Sequence, residues 1–100
     1  MHLVAWNPAR GSEIRKTRPC VVVSPDELNA HLRTFIVAPL TTGGHPNPFR
    51  VRCSFYSKEG YVVVGQLRVV AREPLVRRLG RLSETTLNAL LAVLQALLAL

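Results

Sequence analysis

The chain has 100 residues, 48% of them apolar, and a formal net charge of +7 at pH 7. This length excludes two large cores, so residues 1–100 are expected to form a single domain, and the apolar fraction excludes a disordered chain. The charge favours an anionic partner: nucleic acid, an acidic protein segment or a membrane surface. The apolar stretch 87–100 is too short for a bilayer span and contains two amides, so no membrane association is expected.

Cysteine usage and the start of the chain bear on the cellular compartment. Cys20 and Cys53 form neither a CxxC pair nor a Cys/His cluster, so we expect two buried, reduced thiols, no metal site and no cofactor. The start MHLVAWNPARG lacks the basic head and the long apolar stretch of a secretion signal. Both features favour a cytoplasmic protein.

Short apolar or β-branched runs predict the strands, which are expected at 3–6, 19–24, 34–40, 49–55 and 61–70. The run Ser24-Pro25-Asp26-Glu27 has the form of a small capping box and predicts one helical turn to about Asn29. Gly65 is expected to form a bulge or a kink inside its strand.

Connecting segments and the last helix complete the prediction. Residues 9–17 read as a basic loop, 41–48 as a loop rich in glycine and proline, 56–60 as a turn and 76–82 as a short basic segment. In the strand 49–55, apolar residues alternate with Arg50, Arg52 and Ser54, which predicts a half-buried strand with an arginine-bearing outer face.

Ser83 is expected to cap a terminal helix that is apolar on nearly every side. Such a helix is usually buried on more than one side, and in a chain of this size a partner subunit is the simplest cover, so we predict a homodimer. Five or six short antiparallel strands with one terminal helix indicate a mainly β or α+β fold, a small barrel.

The basic loop contains the residues best suited to chemistry. Between Arg10 and Arg18 it carries four cations, one carboxylate and two hydroxyls. A guanidinium fixed beside a strand can stabilise the charge that develops when a 2′-OH attacks an RNA phosphate, a reaction that needs no metal. An ordinary solvated turn is an equally good interpretation of this composition.

The order of motifs along the chain resembles the MazF/PemK family of toxins. The runs NPARGSE and RPCVVVSP, then Asn29, are similar to the family's first loop and second strand, and VAPLTT is similar to its VAPITT. Gly65-Gln-Leu-Arg matches three of four positions of the acidic-Gln-Leu-Arg motif, and RLGRLSETT with the leucine-rich helix matches the family's ending.

The resemblance implies an SH3-like barrel with a C-terminal helix, a homodimer, and metal-independent, sequence-selective cleavage of single-stranded RNA. It also implies a cognate antitoxin with an acidic, flexible tail. The implied catalytic residues are Arg18, Thr41, Ser12 and Glu13. The expected RNA contacts, from the resemblance and from charge, are Arg10, Arg15, Lys16, Thr42, Arg50, Arg52, Gln66 and Arg68.

Several positions depart from the family pattern. Ser12 stands where the PemK branch has a histidine, Val63 and Gly65 stand where it has an Arg-x-Asp pair, and Val69 replaces a threonine. A catalytically inactive member that binds only antitoxin, and a gyrase-binding toxin of the CcdB type, therefore stay as alternatives. An unrelated basic RNA-binding barrel is the third.

Overall fold

In the computed structural model, which describes residues 1–6, 18–55, 57–71 and 75–99, seven strands, two helices and one 3₁₀ turn follow one another. They are β1 His2–Trp6, β2 Arg18–Val22, α1 Asp26–His31, β3 Thr34–Thr41, β4 Arg50–Phe55, β5 Lys58–Val63, the 3₁₀ turn Val64–Gln66, β6 Arg68–Ala71, β7 Leu75–Arg81 and α2 Glu84–Leu98.

The strands form one curled antiparallel sheet. Their order is β4-β5-β3-β2-β1-β7, and β6 also pairs with β3. The sheet curls into a half-barrel with the C-terminal helix α2 packed against β4 and the 3₁₀ turn. The predicted fold class, a small antiparallel barrel with a C-terminal helix, is confirmed.

The main hydrophobic core lies between the concave side of the sheet and α2. Because side chains alternate along a strand, one set of residues faces this core: Val21, Ala38, Leu40, Val62 and their neighbours. The predicted alternation in β4 is confirmed, since Val51, Cys53 and Phe55 are buried and Arg52 and Ser54 are exposed. A second, smaller cluster on the opposite side contains Val4, Cys20, Val22, Val37 and Val70.

Helix α2 begins at its predicted cap, because the Ser83 hydroxyl accepts a hydrogen bond from the Thr86 amide at 3.2 Å. Leu90 is fully buried against the core, whereas Leu91 exposes 40% of its surface. One side of the helix is therefore covered by its own chain. Within the described residues, no helix is long and apolar enough to cross a membrane.

The predicted capping role of Ser24 is wrong. The residue before α1 is Pro25, and α1 has no side-chain cap. Ser24 is buried, its hydroxyl donates to the Asn29 side-chain oxygen at 2.5 Å, and it accepts a hydrogen bond from the Ile36 amide at 3.1 Å. Ser24 thus ties α1 to β3, because a buried hydroxyl needs partners of its own.

The predicted strand 61–70 is interrupted in the structure. It is divided into β5, the 3₁₀ turn Val64–Gln66 and β6, and Gly65 lies within that turn. β5 also begins earlier than predicted, at Lys58, after a turn in which Ser57 has a positive φ of 58°. The break lets β5 pair with the end of β3 and β6 pair with its beginning. The basic segment 76–82 largely coincides with β7.

Candidate active site

The ladder between β2 and β3 ends close to two predicted catalytic positions. Cys20 pairs with Pro39 and Val21 with Ala38. The ladder ends two residues short of Arg18, the first residue of β2, and of Thr41, the last residue of β3, so both lie at the same end of this strand pair. Because side chains alternate along a strand, both positions belong to the face of the sheet that carries Cys20 and Pro39. The Arg18 side chain itself lies outside the described atoms.

Both positions have cross-strand neighbours on the adjoining strands. Trp6 pairs with Arg18 across β1 and β2, and Thr41 pairs with Tyr61 across β3 and β5. Tyr61 in turn pairs with Arg52 of β4. These five positions run across one face of the sheet, and this face points away from the main core.

The predicted site residues did not include Tyr61. It is half-buried and lies in the row beside Thr41, where its aromatic ring is available to a ligand. No short sequence motif identifies Tyr61, because its position beside Thr41 depends on how β5 pairs with β3. The only signal that could have found it is the strand register, which single-sequence patterns do not supply.

Thr41 has a hydroxyl with a defined orientation. Its Oγ1 accepts a hydrogen bond from the Gly43 amide at 3.1 Å, so the hydroxyl proton can be donated elsewhere. The residue is half-buried, and Thr42 beside it is exposed. Gly60 makes this arrangement possible, since a side chain there would collide with the Thr41 carbonyl oxygen and the Phe55 ring.

The two predicted RNA contacts on β4, Arg50 and Arg52, differ in their surroundings. The Arg52 side chain is 73% exposed and donates to Glu59 at 2.7 Å. Arg50 is half-buried, and its Nη1 donates to the Gly43 carbonyl oxygen at 2.8 Å. The two arginines therefore do not have equal freedom to bind a ligand.

Gln66 lies in the 3₁₀ turn that follows β5, and Arg68 begins β6. Gln66 is exposed in the 3₁₀ turn and borders an open cleft of about 360 Å³ that Asn47 and Phe49 also line. Arg68 is exposed on β6, opposite Val37, which is four residues from Thr41 along β3. Arg68 therefore faces the same side of the sheet as Thr41, roughly 13 Å further along the strand.

The remaining predicted site residues, Arg10, Ser12, Glu13, Arg15 and Lys16, lie outside the described residues. The two ends of their segment are nevertheless defined. β1 ends at Trp6 and β2 begins at Arg18, and these two residues are paired.

The two cysteines are free and buried, as predicted from the sequence. Burial raises the pKa of the Cys20 thiol to about 11 and also raises the pKa of the Cys53 thiol. Both stay protonated at neutral pH and take no part in the site. The residues that the structure describes contain no group of three His, Cys, Asp or Glu side chains placed to hold a metal ion.

A polar cluster that the sequence did not predict lies at the other end of this face. His2 contacts Asp26 at 3.1 Å and Arg78 at 2.6 Å, on the rim of an apolar cavity of about 350 Å³ lined also by Val22 and Phe35. The contacts link α1 to β1 and β7. The His2 side chain is 17% exposed.

Comparisons with known proteins identify relatives of this chain. The model of the PemK-like, MazF-like toxins of type II toxin–antitoxin systems matches residues 1–98. Endoribonuclease MazF9 of Mycobacterium tuberculosis is 37% identical over 98 residues, which cover 87% of this chain and 82% of that protein.

Solved structures share the fold. MazF from Deinococcus radiodurans has a TM-score of 0.78 at 26% identity, covering 99% of this chain and 94% of that chain. An endoribonuclease from a mycobacterial species, solved with its cognate antitoxin, has a TM-score of 0.81 at 22% identity and covers 99% and 92%. The chain therefore belongs to the PemK-like, MazF-like family of endoribonuclease toxins of type II toxin–antitoxin systems.

Proposed function

We propose that this toxin cleaves single-stranded RNA, without a metal ion and with sequence selectivity, at a site centred on Arg18 and Thr41. The observation that supports the proposal is that both residues lie at the same end of the β2–β3 strand pair, two residues beyond its last paired positions, Cys20 and Pro39. A permanently charged fork beside a hydroxyl donor matches the charge that develops on a phosphate under nucleophilic attack.

In the proposed reaction the 2′-oxygen forms a bond to phosphorus as the bond to the 5′-oxygen breaks. One proton leaves the 2′-OH and one reaches the 5′-oxygen, giving a 2′,3′-cyclic phosphate and a 5′-OH. Arg18 stabilises the charge on the non-bridging oxygens, and Thr41 donates its hydroxyl proton to one of them. Glu13 is the proposed proton acceptor and Ser12 flanks the phosphate.

The RNA is proposed to follow the row of cross-strand neighbours. Tyr61 offers a ring for stacking an unpaired base, and Arg52 and Arg68 offer charge to the backbone on the same face. The expected contacts of Arg10, Arg15, Lys16, Thr42 and Gln66 complete this path. Single-stranded RNA with unstacked bases suits this path best, because the protein can contact the base edges only when the bases are unpaired.

Two protein partners are proposed with this activity. The first is a second copy of the chain, since Leu91 on the outer side of α2 and Val69 on β6 are exposed apolar residues. The second is an antitoxin with an acidic tail, which the net charge of +7 favours. Relatives of the same fold were solved with antitoxins, including a mycobacterial endoribonuclease and MazF of Deinococcus radiodurans in a MazE–MazF complex. We place this pair in the cytoplasm.

Digestion of a random RNA pool in EDTA, followed by sequencing of the 5′ ends, tests the proposed function. We expect cuts confined to a short shared sequence, with 5′-hydroxyl and 2′,3′-cyclic phosphate ends. Binding of uncleaved RNA should weaken with salt, with a slope of about −0.7 in log–log form for each phosphate neutralised. Cutting only after Mg²⁺ is added, or no cutting at all, would contradict the proposal.

A further inference from the structure

The loop between β3 and β4 is closed by a chain of hydrogen bonds that ends on Thr41. Arg50 Nη1 donates to the Gly43 carbonyl oxygen at 2.8 Å, and the Gly43 amide donates to Thr41 Oγ1 at 3.1 Å. The guanidinium thus reaches the Thr41 hydroxyl through one glycine. On the other side of the loop, the Arg50 amide donates to the Asn47 carbonyl oxygen at 3.1 Å.

Gly44 lies against the Arg50 guanidinium. Its φ is +93°, in the region that favours glycine, and a Cβ there would collide with the Arg50 guanidinium. The Arg50 guanidinium therefore lies against the backbone of residue 44, in space that a Cβ there would take.

Arg52 provides the comparison, since it lies two residues further along β4 on the same outer face. Its side chain is 73% exposed and pairs with the equally exposed Glu59. Arg50 is half-buried and bonded to the backbone of the loop. The strand thus carries one arginine directed at the protein and one directed at solvent.

We propose that Arg50 is a positioning residue that acts through Gly43 to hold the hydroxyl of Thr41 in place, instead of contacting RNA itself. Its bond to the Gly43 carbonyl oxygen fixes the backbone of residue 43, and with it the direction of the Gly43 amide that donates to Thr41 Oγ1. With that oxygen occupied as an acceptor, the hydroxyl proton is left for the phosphate. This inference rests on the proposed function of Thr41 and extends it to the loop that supports it.

The test compares Arg50→Ala, Arg52→Ala and Arg33→Ala on one RNA oligonucleotide that the wild type cuts. Single-turnover rates give the chemical step, and binding to an uncleavable 2′-deoxy analogue at several salt concentrations gives the salt slope. Arg33 is exposed at the opposite end of β3, about 25 Å from Thr41, and controls for the loss of one positive charge.

We expect Arg50→Ala to slow the chemical step by about ten- to a hundredfold, since small misplacements of reacting groups have effects of this size. Its salt slope should equal that of Arg33→Ala. Arg52→Ala should instead reduce the slope by about 0.7 and weaken binding. Arg50→Lys keeps a charged donor for the Gly43 carbonyl and should recover part of the rate, which loss of folding would not allow.

The decisive comparison uses Thr41→Val, which removes the hydroxyl. In that background Arg50→Ala should have no further effect on the chemical step. A further tenfold loss there, or a reduced salt slope with an unchanged chemical step, would overturn the positioning role and return Arg50 to the RNA contacts. If the wild type cuts no RNA, the proposed function falls; if it cuts and Arg50→Ala matches it, only this inference falls.

Discussion

Replacing Arg18 with alanine is expected to lower the rate of RNA cleavage by about 10²–10³-fold, the usual cost of losing one preorganised donor to developing charge. Arg18 begins β2, at the end of the β2–β3 strand pair where β3 ends with Thr41. The substitution removes the guanidinium that we propose acts beside the Thr41 hydroxyl. Single-turnover cleavage of a defined oligonucleotide in EDTA measures the loss.

Arg18→Lys is the matched variant, because it keeps the charge and loses the planar fork that binds two phosphate oxygens. It should fall between the wild type and Arg18→Ala. The backbone of residue 18 lies in the ladder with β1, so the strand pairing does not depend on its side chain. The thermal midpoint should therefore hardly change, and wild-type cleavage by Arg18→Ala would show that the assignment is wrong.

The largest expected loss of stability comes from Leu90→Ala. Leu90 has no exposed surface and joins α2 to the core that contains Val21, Val62 and Val64. Truncating a fully buried leucine removes its transfer free energy and leaves a cavity, at a cost of about 2–5 kcal/mol in the free energy of unfolding. That is a large share of the stability of a small domain.

Leu98→Ala makes the same chemical change near the end of the same helix. Leu98 is 74% exposed, so its truncation should change the free energy of unfolding by only about 0.5 kcal/mol. Urea denaturation of both variants at one protein concentration measures the difference. Equal losses for the two would mean that α2 does not pack on the sheet through Leu90.

Elements whose local pattern agrees with their tertiary surroundings could be predicted from the sequence. β4 shows its period of two because one face is buried and the other exposed, and α2 begins at Ser83 because a hydroxyl there satisfies a free amide. Residues 61–70 read as one strand because they contain five valines, which favour strands. The break at Val64–Gln66 follows from tertiary pairing, since two different parts of β3 take β5 and β6 as partners.

The site also contains residues that could be predicted from the sequence and residues that could not. Arg18 and Thr41 were predicted from the resemblance of their motifs, and both lie at the same end of the β2–β3 strand pair. Tyr61 could not be predicted, because no local sequence pattern identifies the residue opposite Thr41. Arg50 was expected to contact RNA from its charge alone, and charge does not reveal that its guanidinium lies on the Gly43–Gly44 backbone.

A double-mutant cycle on Arg18 and Thr41 tests the central claim most directly. If the two side chains act on one phosphate as a unit, Arg18→Ala with Thr41→Val should cleave at a rate within about threefold of Arg18→Ala alone, because residues of one catalytic unit are strongly non-additive. A double variant whose loss equals the product of the two single losses would show that the residues act independently, and would contradict a shared site.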